Sequence, residues 1–223
     1  MTPAEPRDHP TQQRRTLGLV LAVTSVAALA AILFLPNGSE DRATHVFNTD
    51  GRPVLGNPKV GAEIVLFSDY KCPNCQAFER THLPLIEQQL VRTGQAHVVF
   101  LHSPFLAPDS RDAARSAECA FRQGNAQFLK VNAALYARQG DERDAWATPG
   151  LLRDVARDAG LNLQAYDACL HDRAVDTQVQ LDLDQHKAAG MKGTPTVFVN
   201  GVRTPAGVAE IREAMARTTP PRL

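Results

Sequence analysis

Residues 64–75 read Ile-Val-Leu-Phe-Ser-Asp-Tyr-Lys-Cys-Pro-Asn-Cys, and no other stretch limits the possible folds as much. Ile64, Val65, Leu66 and Phe67 form a short apolar, partly β-branched run, which suits a buried strand better than a helix. Ser68, Asp69, Tyr70 and Lys71 break that run. From Pro73 the pattern turns helical, with Phe78, Leu83, Leu85, Ile86 and Leu90 spaced among Glu and Gln. Proline is welcome in the first turn of a helix, because its missing N–H has no partner to lose there. Cys72 is therefore expected at or just before the N-terminus of a helix that follows a strand.

That position carries chemistry. The positive end of a helix and its unpaired N–H groups favour an anion, hence a thiolate at Cys72. Cysteines so placed have pKa values lowered from about 8.5 to roughly 3.5–7.5. Lys71 is expected to add an exposed positive charge beside it. Cys75 falls one turn later on nearly the same face, within reach of a disulfide with Cys72. Cys72 is then the exposed nucleophile, and the more buried Cys75 resolves mixed disulfides. Cys-x-x-Cys is also half of a zinc site. The strand before it, the helix after it and the proline in the first turn favour redox chemistry. The nearest helical histidine, His82, lies about 15 Å further along the same helix, too far to share an ion with Cys72. No metal and no bound cofactor are expected.

The chain has 223 residues and a formal net charge of zero, enough for one domain with a proper core or one domain with a large insertion. Neutral charge gives no sign of nucleic-acid binding. Residues 1–16 are polar and carry Pro3, Pro6 and Pro10, as a disordered tail would. Residues 17–35 carry no charge, and at 1.5 Å per residue they reach about 28 Å, close to the thickness of a bilayer core. Arg7, Arg14 and Arg15 precede this run, and Glu40 and Asp41 follow it. That asymmetry puts the N-terminus in the cytoplasm and the rest outside, on a membrane crossed once. A cleaved signal peptide is the competing reading, but its apolar core is shorter and Pro36-Asn37-Gly38-Ser39 lacks a clean small-x-small cut site. Arg14-Arg15 alone is weak support for twin-arginine export.

Residues 36–58, with Gly38, Gly51, Pro53, Gly56 and Pro58, read as a linker with one short strand near Val54. After the first helix, His97-Val-Val-Phe-Leu101 is the next strand, so a βαβ unit with parallel strands is expected. His102 should emerge at the same edge as Cys72, either as a site residue or as an ordinary loop histidine. Residues 106–189 read as helices only, with starts at Thr148-Pro149, Asn162 and Asp172 and stops at Gly124, Gly140 and Gly160. Then Thr196 to Val199 is a strand, Asn200-Gly201 is a hairpin turn, Val202 begins the return strand and 206–217 is a last helix.

Phe67-Ser-Asp-Tyr-Lys-Cys-Pro-Asn-Cys75, taken with Gly193-Thr-Pro-Thr-Val-Phe-Val-Asn-Gly201, resembles the DsbA-like thiol–disulfide oxidoreductases of the thioredoxin superfamily, the membrane-anchored bacterial members above all. The resemblance covers roughly residues 54–215. It implies an α/β thioredoxin fold, built from residues 59–105 and 190–223, with an inserted all-helical domain at 106–189 and the transmembrane helix at 17–35 ahead of it. It implies Cys72 and Cys75 as the catalytic pair, supported by Pro73 and Asn74. Pro195 is implied to be cis and packed against the pair, with the Thr194 backbone pairing with an extended substrate segment. Proline at the start of a strand needs no such role, and cis bonds occur at only about 5–6% of X–Pro sites. One position departs from the family. Where many thioredoxin-like proteins carry a buried acid six residues before the nucleophile, this chain has Leu66, and Glu63 and Asp69 do not align with it.

Cys119 and Cys169 both fall among the helices. They admit three readings: a structural disulfide, two separate buried thiols, or a second redox pair. Export favours the structural disulfide, because free thiols do not stay reduced outside the cell. Closing that loop contributes roughly 3–4.7 kcal/mol in the chain-entropy model. The function expected is donation of the Cys72–Cys75 disulfide to reduced exported proteins. The resemblance implies that a quinone-linked membrane protein of the DsbB or vitamin-K-epoxide-reductase-like type reoxidises the pair. A membrane-fed reductase or isomerase of the same fold stands as one alternative, and a non-catalytic peptide-binding module or holdase as another.

Overall fold

A computed structural model describes residues 44–218. Five strands form one sheet in the order β1-β3-β2-β4-β5: β1 Val54–Leu55, β2 Ala62–Ser68, β3 Ala96–His102, β4 Thr196–Val199 and β5 Val202–Thr204. β2 and β3 run parallel, from Ala62 opposite Ala96 to Ser68 opposite His102. The other pairs are antiparallel. The central run is apolar throughout because both of its faces are covered. Ile64 and Leu66 face the larger core, whereas Val65 and Phe67 face a smaller one with Leu101, Met191 and Phe198.

Helix α1, Pro73–Thr81, begins directly after the β2 loop and places Cys75 and Phe78 on its buried face. The sequence suggests one helix as far as Gly94, but the structure breaks it at His82. Pro84 has no N–H to give the Arg80 carbonyl, so the α-helical ladder cannot continue through it. The chain restarts as α2, Leu83–Ile86, and then widens into a π-helical turn, Glu87–Val91. Ile86 and Leu90 stay fully buried through these changes.

The segment between β3 and β4 holds α3 Pro108–Phe121, α4 Asn125–Ala137, α5 Pro149–Asp158, α6 Leu163–Leu170 and α7 Arg173–Ala188. Thr148, Asn162 and Asp172 each cap a helix with a side-chain oxygen, at α5, α6 and α7. Phe128, Val131, Leu135, Leu152, Val155 and Tyr166 carry these helices into the same core as α1. Cys119 on α3 and Cys169 on α6 are disulfide-bonded, with a sequence separation of 50. A loop of that length corresponds to about 4 kcal/mol of chain entropy removed from the unfolded state.

The β4–β5 turn has Asn200 at φ 48° and Gly201 at φ 82°, the left-handed pair that a tight two-residue hairpin requires. A Cβ on Gly201 would lie 2.2 Å from the His45 carbonyl oxygen. The close approach arises because the incoming chain pairs there, with His45 N–H donating to Gly201 O at 2.8 Å. The described part of the stretch read as linker lies against the sheet: Phe47 packs on Phe67 and Phe198, and Val54 opens β1. Helix α8, Val208–Arg217, closes the core with Ile211 and Ala214. The apolar run at 17–35 lies outside the described residues.

Candidate active site

Cys72 is the N-cap residue of α1, in extended conformation, with Pro73 in the first turn. Its carbonyl accepts from the N–H groups of Cys75 (3.0 Å) and Gln76 (3.2 Å). Its Sγ donates, as the thiol, to the Thr194 carbonyl at 3.2 Å. The Thr194–Pro195 bond is cis. Two segments more than a hundred residues apart in sequence are thus brought together, β2 delivering the cysteines and the start of β4 delivering the proline loop. Pro73 and Asn74 are exposed on the first turn.

The two sulfurs differ sharply. The Cys75 thiol donates to Cys72, and the backbone N–H groups of Cys75 and Asn74, in the first turn, add to this. Burial opposes these donors, and the balance pulls Cys72 down to about 6. Cys75 is pushed far up, by burial first and then by its bond to Cys72 and the negative charge there. The expectation of an exposed Cys72 is corrected: it is 7% exposed, against 2% for Cys75. The cis-proline loop lies against its sulfur, with the Thr194 carbonyl in contact.

Lys71 is corrected further. Its side chain is buried and points away from solvent, with Nζ 2.8 and 3.0 Å from the two Asp109 carboxylate oxygens and 2.6 Å from the Asp144 carbonyl. Lys71 is therefore a brace between the cysteine loop and the helical segment, its charge matched by Asp109. Other braces converge on the same loop. Asp69 accepts from Lys71 N–H through one carboxylate oxygen, and from Phe105 and Leu106 N–H through the other. Gln139, just beyond α4, donates to the carbonyls of Tyr70 (2.6 Å) and Cys72 (3.1 Å). Sequence reasoning missed Asp109 and Gln139, and nothing local in the sequence marks them.

Behind Cys75 the Tyr70 hydroxyl donates to Asn132 Oδ1 and Asn132 Nδ2 donates to Glu79 Oε1, each at 2.9 Å. Burial pushes Glu79 up to about 7, with the Asn132 bond acting in the other direction. This supplies a half-buried acid one turn from Cys75 although Leu66 holds the position usual for one. Glu79 is one helical turn beyond Cys75, and that spacing was a usable signal. His102 is neither a site residue nor a loop histidine. It ends β3, is buried, and is held neutral by desolvation, with Arg52 adding to the effect, at a pKa of about 3. Among the described residues no group of three or more His, Cys, Asp or Glu is placed to share a metal ion.

A reactive dithiol capping a helix, opposite a cis-proline on a thioredoxin-type sheet, defines the class: dithiol–disulfide exchange proteins. A family model described as Thioredoxin matches residues 48–216. Disulfide bond formation protein D of Bacillus subtilis (strain 168) is 29% identical over 170 residues, covering 75% of this chain and 77% of that protein. The crystal structure of oxidised BdbD from Bacillus subtilis superposes with a TM-score of 0.72 at 28% identity, over 79% of this chain and 97% of that one. Chlamydia trachomatis DsbA shares the fold, with a TM-score of 0.68 at 20% identity over 78% of this chain and 95% of that one. The chain belongs to the thioredoxin family and is a DsbA-like thiol–disulfide oxidoreductase.

Proposed function

We propose that Cys72 and Cys75 are the catalytic pair, and that their disulfide is donated to reduced exported proteins on the outer side of a bacterial membrane. Residues 17–35 serve as the uncleaved tether. The observation that carries this reading is the inequality of the two sulfurs. A substrate thiolate attacks Cys72 Sγ, the Cys72–Cys75 bond breaks, and Cys75 leaves and takes up a proton. A second substrate thiolate then attacks the substrate sulfur of the mixed disulfide. The substrate disulfide forms, Cys72 leaves as thiolate, and two electrons have passed from substrate to enzyme.

Each step is helped by the arrangement. A sulfur held near pKa 6 is a good leaving group and stabilises the reduced protein, which makes the pair oxidising. Cys75 stays protonated, so it is slow to attack the mixed disulfide and send the reaction backwards. Thr194 and Pro195 present the backbone against which an extended substrate segment pairs. A membrane protein linked to quinone then removes the two electrons and restores the disulfide; the naming of similar proteins as disulfide bond formation proteins supports that direction.

The test is the equilibrium of the Cys72–Cys75 pair against glutathione. An oxidising pair, well above the roughly −270 mV of thioredoxin, is expected. A potential at or below that value reverses the direction and makes the protein a reductase.

A further inference from the structure

The cis-proline side of the dithiol is bordered by positive charge. Pro195, Thr196 and Val197 on one side, and Arg203 and Pro205 on the other, line a cleft of about 380 Å³. Arg203 is exposed, and among the described residues its guanidinium has no hydrogen-bond or ion-pair partner. Lys192 is exposed immediately before the Gly193-Thr194-Pro195 loop and is likewise unpaired among the described residues. The His186 ring lies against the same loop. Its Nε2 lies 3.4 Å from Gly193 O, and burial first, with the nearby Arg203 charge adding to it, disfavours its charged form. The Cys72 sulfur lies 3.2 Å from the carbonyl of Thr194, the residue next to the Pro195 that lines the cleft.

We infer that Arg203 and Lys192 make this oxidoreductase selective for substrate cysteines flanked by Asp or Glu. The inference rests on the proposed exchange at Cys72. An extended segment whose cysteine reaches Cys72 must lie along Thr194 and Pro195, so its neighbouring side chains meet the cleft and Lys192. Two cations with no internal partner can receive a carboxylate there without breaking an existing ion pair, whereas a lysine in the same place is repelled. The selectivity belongs to the residues beside Pro195, because the segment that meets Lys71 carries exposed Glu142 and Asp144 instead. Total substrate charge therefore does not determine it.

The experiment compares dithiol peptides of equal length whose cysteine is flanked by Glu, by Ser or by Lys, together with one whose Glu residues are moved far from the cysteine. Exposed ion pairs contribute about 1.4- to 5-fold each. The oxidised full-length protein should therefore oxidise the Glu-flanked peptide roughly 2- to 25-fold faster than the Lys-flanked one, with the advantage shrinking as salt is raised. Arg203→Glu leaves Lys192 opposed by a carboxylate and should bring that ratio to about one, and Arg203→Gln should reduce it part of the way. The peptide with distant Glu residues should behave like the Ser-flanked one. Oxidation of all four peptides at equal rates by the unaltered protein overturns the inference. So does a preference that follows total charge, or binding of anionic vesicles through Arg203 with no peptide preference. Failure to oxidise any of the peptides overturns instead the exchange reading on which the inference rests.

Discussion

Cys72 and Cys75 are the same side chain in one turn of helix, and what touches each sulfur makes one an acid and the other inert. An exposed helix terminus contributes about 0.3–1 kcal/mol to an anion, too little for a depression of the size seen at Cys72. The direct donors supply the remainder, with the Cys75 thiol first among them. A hydrogen bond to a charged group contributes about 1.5–3 kcal/mol, which is roughly one to two pKa units. Cys75→Ala should therefore raise the Cys72 pKa by about that amount, read from the ultraviolet absorbance of the thiolate against pH. An unchanged titration would assign the depression to the backbone N–H groups instead.

The cysteine loop is a rigid element because four of its residues are tied to other parts of the chain. Asp69 ties it to the loop after β3, Tyr70 to α4, Lys71 to α3, and the Cys72 carbonyl to Gln139. Lys71–Asp109 is the costly tie, since both groups give up water for each other. Lys71→Ala leaves Asp109 buried without its cation, and stability should fall by about 3–5 kcal/mol in urea unfolding. The Cys72 titration should move little, because the charge removed was already balanced. A large rise in the Cys72 pKa with no loss of stability would restore Lys71 as an electrostatic activator. These ties also show what the sequence could reveal. The strand, the proline at the start of α1, the Asn200-Gly201 turn and the caps at Thr148, Asn162 and Asp172 are local, and a local reading found them. The break follows from Pro84, which the periodic reading passed over, and the π-helical turn after it keeps Leu90 buried, a change of pitch that a periodic pattern does not record. Lys71 looked exposed because its partner Asp109 is distant in sequence, and only the folded helical segment brings the two together.

The whole domain holds several titratable groups away from water, and their signs can be separated by redox state. Glu79 and Asp182, each pushed up to about 7 by burial, bind protons more readily folded than unfolded. Their contribution is full below their ordinary values of 4.5 and 3.8 and is lost as pH rises through about 7. His102, held near 3, acts in the opposite sense, and its contribution is lost as pH falls from 6.5 towards that value. These three groups are the same in both redox forms, so they bend both stability curves and largely cancel from the difference. Cys72 does not cancel, because it titrates only in the dithiol. Its pKa is lowered from 9.0 to about 6, so its contribution is present above 9.0 and lost as pH falls through about 6. The stability of the reduced protein relative to the oxidised one should therefore grow as pH rises from about 6 to 9.0. Above that window Cys75 opposes the trend, since burial keeps it protonated where an unfolded thiol would ionise. Denaturant midpoints of the two forms, measured in parallel across the window, check this directly. A gap that stays constant with pH would mean that the Cys72 thiolate is not what stabilises the reduced state, and the source of any oxidising power would have to be strain in the disulfide form.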